Sequence, residues 1–270
     1  MDWDAALYKT IKAARLGREV LLRHFGRLEH IEEKFQAGLV SEADKESEKV
    51  IFEYLQKNFP GDEFVGEEST LDSTKIQASR SKGRWIVDPL DGTTNYIHRF
   101  PIFAVSIGYE YEGKMQLAVI DVPMMNEVYT AIRGRGAFVN GPKMQVSETA
   151  TIKDSLLATG FFAEHEENLQ EQLKIFSDIV RKCRGVRRAG AAAYDLALVA
   201  RGVLDGYWEK GLKPWDTAAG MLLVAEAGGQ VCTYRGAEYS PYKGTILATN
   251  GKLAPALVSE FAGHINPGSD

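Results

Sequence analysis

The chain is poor in cysteine, with two in 270 residues, Cys183 and Cys232, and no CxxC pair. That excludes a small disulfide-stapled fold and a cysteine-built zinc site. No apolar run approaches the roughly 18 residues a membrane helix needs. The start, MDWDAALYKT, lacks the basic-then-apolar pattern of a secretion signal. The expected location is therefore the cytoplasm, with no membrane partner. Charge imbalance is also small: 37 acids against 32 lysines and arginines leave −5 at pH 7. A mildly acidic chain is a poor candidate for sequence-independent nucleic-acid binding, which runs on a basic surface. Five histidines (His24, His30, His98, His165, His264) show no metal-ligand spacing and no triad. Cys183 has Ala189, not arginine, six positions on, which excludes a cysteine phosphatase loop.

What is present is the composition of a globular chain, 44% hydrophobic and 26% charged, long enough for one large domain or two halves sharing a core. Residues 4–25 repeat Ala, Leu, Ile and Val at helical spacing, with Asp4 as the expected cap. SEAD, from Ser41, fits a capping box and predicts a second helix whose apolar face holds Val50, Ile51, Tyr54 and Leu55. From 84 to 140 the period changes to two. IFAVSIGYEY places Phe103, Val105, Ile107, Tyr109 and Tyr111 on one face, and the runs that follow, with the Asn-Gly turn of VNGP, predict an antiparallel meander. Beyond 150, ENLQEQLKIFSDIVRKC, GAAAYDLALVARG, WDTAAGMLLVAEAGG and 252–262 predict helices. LDGYWEKG, QVCTYR and GTILATN predict strands. The expected division is an N-terminal α+β half, 1–145, and a C-terminal α/β half, 146–270.

The chemistry concentrates in WIVDPLDGTTNY, Trp85 to Tyr96. A strand expected to end near Asp88 delivers two carboxylates, Asp88 and Asp91, to the edge where layered α/β folds bind ligands. Such acids repel unless a proton or a metal relieves them, and oxygen donors favour a hard cation such as Mg²⁺. Gly92, Thr93 and Thr94 offer amides and hydroxyls at a helix start, a place that attracts phosphate. Read alone, the stretch is either a capped turn or a site for metal and phosphate together. Three further acids have plain readings in isolation. VGEES carries Glu67 and Glu68 on what reads as a solvated loop, Asp216 in KPWDTAAG reads as a helix N-cap, and Asp44 in SEAD sits in a first turn.

Taken in order, GEES, WIVDPLDGTTN and PWDTAAG resemble the signature of the inositol monophosphatase family, its bacterial members above all, over about Lys34 to Gly229. The resemblance implies a layered αβαβα fold and a Mg²⁺-dependent phosphomonoesterase. It implies that Glu67, Asp88 and the Leu90 carbonyl hold one Mg²⁺, that Asp88, Asp91 and Asp216 hold a second, and that a third, weaker ion lies near Glu67. Gly92 and Thr93 would bind phosphate through their amides, with Thr94 beside them. Asp44 would pair with Thr93 to orient the attacking water, and Glu68 would act through a water. Glu209, in YWEKG, would accept hydrogen bonds from the polyol, and Ala191, in AGAAA, would leave room for its ring.

The implied substrate is myo-inositol 1-phosphate or a related polyol phosphate, and the implied assembly is a lithium-sensitive homodimer. The metal acids alone leave open fructose 1,6-bisphosphate, histidinol phosphate and nucleotide 3′-phosphates. Lys213 would suit a second phosphate or be a surface lysine. The segment before Asp44, GLVSEAD, departs from the family's pattern at Gly38 and Ser41. A non-enzymatic reading rests on RKCRGVRR, Arg181 to Arg188, with five basic residues in eight; it would bind RNA or a transcription partner, or else be a solvated helix end or subunit contact.

Overall fold

A computed structural model describes residues 1–34, 38–70, 83–161 and 166–265. Residues 35–37, just before the GLVSEAD segment, lie outside them. The first helix, α1 (Trp3–His24), is capped by Asp2, whose Oδ1 accepts from the amides of Asp4 and Ala5 at 3.1 Å. Asp4, the expected cap, sits inside the first turn, where its charge suits the positive end of the helix. A short antiparallel ribbon, β1 (Ile31–Lys34) and β2 (Gly38–Ser41), leads into α2 (Glu42–Asn58). Here the capping box expected at Ser41 forms with Asp44.

Seven strands then make one sheet: β3 (Glu63–Gly66), β4 (Gly83–Asp91), β5 (Ala104–Tyr111), β6 (Lys114–Val122), β7 (Glu127–Ile132), β8 (Gly136–Val139) and β9 (Lys143–Met144), in that order. A short helix, α3 (Thr93–Ile97), interrupts it after β4. β3 runs parallel to β4; from β4 onward every pairing is antiparallel, the meander the period-two runs predict.

The second sheet has five strands: β10 (Leu156–Thr159), β11 (Gly185–Arg187), β12 (Gly206–Lys210), β13 (Gln230–Cys232) and β14 (Thr245–Thr249), in the order β11-β10-β12-β14-β13. Its helices are α4 (Glu166–Ile179), α5 (Ala192–Ala200), α6 (Pro214–Glu226) and α7 (Ala254–Phe261). The predicted helix through Cys183 ends at Ile179, and the following residues turn to bring β11 alongside β10.

Alternation along the strands sorts the core into three slabs. Phe103, Val105, Ile107 and Tyr109 pack with Ala14, Leu21, Ile51 and Leu55 of α1 and α2. The opposite face of the seven-stranded sheet, through Ile86, Ala118 and Ile120, packs on α5 and α6 and on Tyr207, Ile246 and Ala248 of the five-stranded sheet. That sheet's far face, Leu157, Trp208 and Leu247, packs on α4 and α7. The order helix, sheet, helix, sheet, helix is the αβαβα arrangement expected from the sequence.

A polar tie joins the sheets across the middle slab. Tyr242, between β13 and β14, accepts from Arg84 Nη1 at 3.1 Å and donates to Glu110 Oε2 at 2.8 Å, both on the seven-stranded sheet. Removing a partner of buried charged groups costs about 1–3 kcal/mol. Tyr242→Phe is expected to lower unfolding free energy by that amount in urea titration; an unchanged midpoint and slope would show that the tie contributes nothing.

Candidate active site

The site depends on one irregularity in β4. Asp88 pairs with Ser106, but Asp91 pairs with Ala104, so three steps on β4 match two on β5. The extra residue falls between Asp88 and Asp91, where Pro89 has no N–H to give to the ladder. In a regular strand, residues three apart face opposite sides; a bulge cancels that. Packing records the change: Trp85, Val87 and Leu90 all belong to the slab under α1 and α2, whereas Ile86 belongs to the slab holding α5 and α6. Asp88 and Asp91 continue the face of Ile86. The bulge is pinned by the Leu90 amide donating to Asp88 Oδ1 at 2.9 Å and by Ser47 Oγ donating to the Pro89 carbonyl at 3.0 Å. The strand expected to stop near Asp88 thus runs on to Asp91.

Gly92 follows with φ +94°, a left-handed conformation that caps α3. A Cβ there would lie 3.0 Å from the Ile102 carbonyl and 3.3 Å from that of Gly190. Thr93 Oγ1 stands 3.0 Å from Asp44 Oδ1 and 3.1 Å from the Leu90 carbonyl, so the expected Asp44–Thr93 pair is present. Asp44 itself is fully buried and held at Oδ2 by the Ser41 amide and hydroxyl, at 2.9 and 2.6 Å. Thr94 is exposed. Asn95 Nδ2 donates to the Ala189 and Ile102 carbonyls, both at 2.8 Å, and so ties the turn to the segment entering α5.

Helix α5 meets β4 end-on. Asp91 accepts from the amides of Ala192 and Ala193 at 3.1 and 2.8 Å, and Ala191 is buried beside them. Asp216 lies in the first turn of α6, and its Oδ2 takes the Lys213 amide at 2.6 Å. Lys213 is the capping position, so the N-cap reading of Asp216 is corrected: the acid reaches back to the cap instead of forming it. On β12, Tyr207 faces the middle slab and Trp208 the outer one. Glu209 shares the Tyr207 side and accepts from the Tyr207 hydroxyl. Gly160, at the end of β10, approaches so closely that a Cβ would collide with the Glu209 carboxylate.

Glu67 follows β3 and is half-buried, with its amide donating to the Val87 carbonyl at 3.2 Å. Glu68, also half-buried, donates its amide to Glu48 Oε2 at 2.9 Å. Glu48 is a residue the sequence reading missed. It lies one helical turn after Asp44, and only the spacing of two acids along one face of α2 signals it. Its buried carboxylate anchors the turn that presents Glu67.

These acids sense one another. Burial first, then Glu67, Asp91 and Asp216, pushes the Asp88 carboxyl well above the ordinary range. Asp216 is raised by burial and by Glu67, Asp91 and Glu209. Burial raises Asp91 to about 7 against the three backbone amides at the start of α5, and Glu209 to about 7 against Tyr207 and Arg188. Asp44 is raised by burial, opposed by Ser41. Among the described residues, Asp88, Asp91 and Asp216 form no salt bridge. Nor do any three His, Cys, Asp or Glu side chains there stand already closed around one cation. The oxygens are parked on backbone amides.

Comparison with known proteins matches this architecture. The family model for the inositol monophosphatase family matches residues 2–266. The chain is 41% identical over 263 residues to the Nus factor SuhB of Pseudomonas aeruginosa, covering 95% of this chain and 96% of that one. It is 39% identical to an inositol-1-monophosphatase of Mesorhizobium japonicum, covering 96% of each. The solved structure of the suhB protein of Bartonella henselae superposes with a TM-score of 0.89 at 39% identity, over 97% of this chain and 100% of that one. An inositol monophosphatase from Thermotoga maritima superposes at 0.87 with 30% identity, over 96% and 97%. The chain belongs to the inositol monophosphatase family and is a phosphatase of that family.

Two outcomes follow from this geometry. Glu48→Ala is expected to lower stability by about 1–3 kcal/mol, through the orphaned turn amides, and to slow phosphate-ester hydrolysis; denaturation and rate measurements showing neither effect would remove Glu48 from the site. Asp91 and Glu209 titrate near 7 in the folded chain, above their ordinary values of 3.8 and 4.5. The folded state therefore binds more protons than the unfolded one across that window, and their stabilisation, full below the ordinary values, is lost as pH rises through 7. The protein in the presence of chelator is expected to lose thermal stability between pH 5 and pH 7.5; a melting temperature independent of pH over that range would contradict this.

Proposed function

We propose that this protein is a Mg²⁺-dependent phosphomonoesterase that hydrolyses myo-inositol 1-phosphate and related small polyol phosphates by direct attack of water. The observation that carries the reading is the bulge that turns Asp88 and Asp91 onto one face, toward Asp216 and with no salt bridge to a cation among the described residues. An all-oxygen donor set of this kind fits a hard divalent cation. In this reading Glu67, Asp88 and the Leu90 carbonyl hold one Mg²⁺, Asp88, Asp91 and Asp216 hold a second, and a third lies near Glu67. Bound there, Mg²⁺ neutralises the ester dianion and acidifies water.

The protein's own groups do the rest. The amides of Gly92 and Thr93, with Thr94 at the rim, receive the phosphate. Thr93 donates to Asp44 and keeps its lone pairs for a proton of the attacking water, which it thereby orients. Glu68 acts through a water beside Glu67. Glu209, at the floor of the polyol end, accepts from substrate hydroxyls, and the small side chain of Ala191 leaves space for a ring. The same family expectation extends to a homodimer, which sedimentation velocity checks.

The runner-up substrates are fructose 1,6-bisphosphate, histidinol phosphate and nucleotide 3′-phosphates. Initial rates on these and on myo-inositol 1-phosphate, with and without chelator, separate them; hydrolysis indifferent to chelator would end the metal reading. A role in binding RNA or a transcription partner finds little support in the Arg181–Arg188 cluster. Arg181 pairs with Asp178, Lys182 with Glu260 and Arg184 with Asp154, so the basic run is largely neutralised from within.

Asp91→Asn is expected to reduce kcat by more than 100-fold, since an aligned charge in such a site supplies about 3 kcal/mol or more, while the melting temperature holds or rises. Near-normal turnover would sink the assignment. Glu209→Gln is expected to hurt myo-inositol 1-phosphate more than non-cyclic esters; equal losses on both would take Glu209 out of the substrate end.

A further inference from the structure

Helix α5 carries one acid that the proposed mechanism leaves idle. Asp195 lies one turn after Ala191, is 2% exposed, and its Oδ1 has no hydrogen-bond partner. Its amide donates to the carbonyl of Ala191 at 3.0 Å, and Ala191 is the residue that abuts Gly92 at the mouth of the site. The charges that act on it are Glu209 and Asp91, which repel it, and Arg188, which attracts it. Tyr207, bonded to Glu209, also senses it. Arg188 is exposed and donates to the Phe161 carbonyl at 3.3 Å. Leaving a buried acceptor unpaired costs about 1–3 kcal/mol, and like charges beside it add to that. Uncompensated groups of this kind persist where function needs them.

We infer that Asp195 is a further specificity-determining residue: it is a second acceptor beside Glu209 and takes a hydrogen bond from a hydroxyl on the leaving group of a phosphate ester of a small, uncharged polyol. The inference rests on the reading of the site as a phosphomonoesterase. It gives the two ends of the site different chemistry. Backbone amides and a cation-binding acid set receive the phosphate, while two buried acids receive hydroxyl donors.

The test compares kcat/KM for myo-inositol 1-phosphate with that for 4-nitrophenyl phosphate, whose leaving group has no donor, in the wild type, Asp195→Ala and Asp195→Asn. Melting temperatures of the metal-free proteins are measured alongside. Expected for Asp195→Ala is a fall of about tenfold or more in the ratio of the two, the worth of one lost hydrogen bond, with a melting temperature at or above wild type. Asp195→Asn, which keeps an acceptor oxygen in the same place, recovers most of the ratio. An unchanged ratio in Asp195→Ala overturns the inference. So does an equal loss on both esters with a lower melting temperature, the mark of a merely structural residue. If the wild type turns over neither ester, the reading of the site fails and the inference falls with it; if it turns over both, only the ratio decides.

Discussion

Mutual repulsion among buried carboxylates is the constraint around which this fold is arranged. Asp44, Asp88 and Asp91 are buried, Asp216 and Glu67 half-buried, and Glu209 lies nearby at 9% exposure. In a low-dielectric interior such a group is expensive unless each charge finds a donor. The donors here are mostly main-chain amides: Ser41 for Asp44, Leu90 for Asp88, Ala192 and Ala193 for Asp91, Lys213 for Asp216. Amides hold a carboxylate in place without cancelling its charge. Arginines would also hold it but would remove the attraction for a cation. The choice of amide over guanidinium leaves the site anchored and still electrically hungry.

That choice dictates the backbone around the acids. To serve an acid, an amide must be free of its own ladder, so each acid sits where regular structure begins or breaks. Asp44 and Asp216 occupy the third position of a helix, reaching back to the capping amide. Asp88 sits at a bulge, and Asp91 meets the first turn of α5, whose amides have no intrahelical partner. The alanines of α5 and the Ala218 face of α6 let these helix ends approach the sheet; Gly108 of β5 lies directly against Ala218. Small residues between the sheets are thus part of the electrostatics, since bulkier ones would hold the amides away from the acids.

Much of this was legible in the sequence because it is written in local rules. The Ser41 box needs only the four residues SEAD, and the Phe103–Tyr111 face needs only alternation. The αβαβα order and the Asp44–Thr93 pair entered through the resemblance, and both are present. What escaped notice depends on register or on distance. The strand was expected to end at Asp88 because Pro89 breaks a ladder; that the chain would bulge and resume, turning Asp91 onto the face of Asp88, depends on the pairing with β5. Asp2 displaced Asp4 as cap because α1 starts at Trp3, just ahead of the apolar repeat that begins at residue 4. Glu48 and Asp195 carry no motif at all. Each looks like an ordinary helical acid, and only burial, with an amide in one case and no partner in the other, sets it apart.

The contrast between those two acids bears on how the site discriminates. Glu48 is satisfied and faces the turn of Glu67, where a fixed geometry is required whatever the ester. Asp195 is unsatisfied and shares its surroundings with Glu209, where the organic part of an ester would lie on the proposed reading. An acid whose acceptors are already met gains less from a ligand. An unsatisfied one gains most from the molecule that completes it and penalises any that does not. Selectivity between phosphate esters is therefore sharpened by a group the fold leaves incomplete, and among the described acids of the middle slab that group is Asp195, in the first turn of α5.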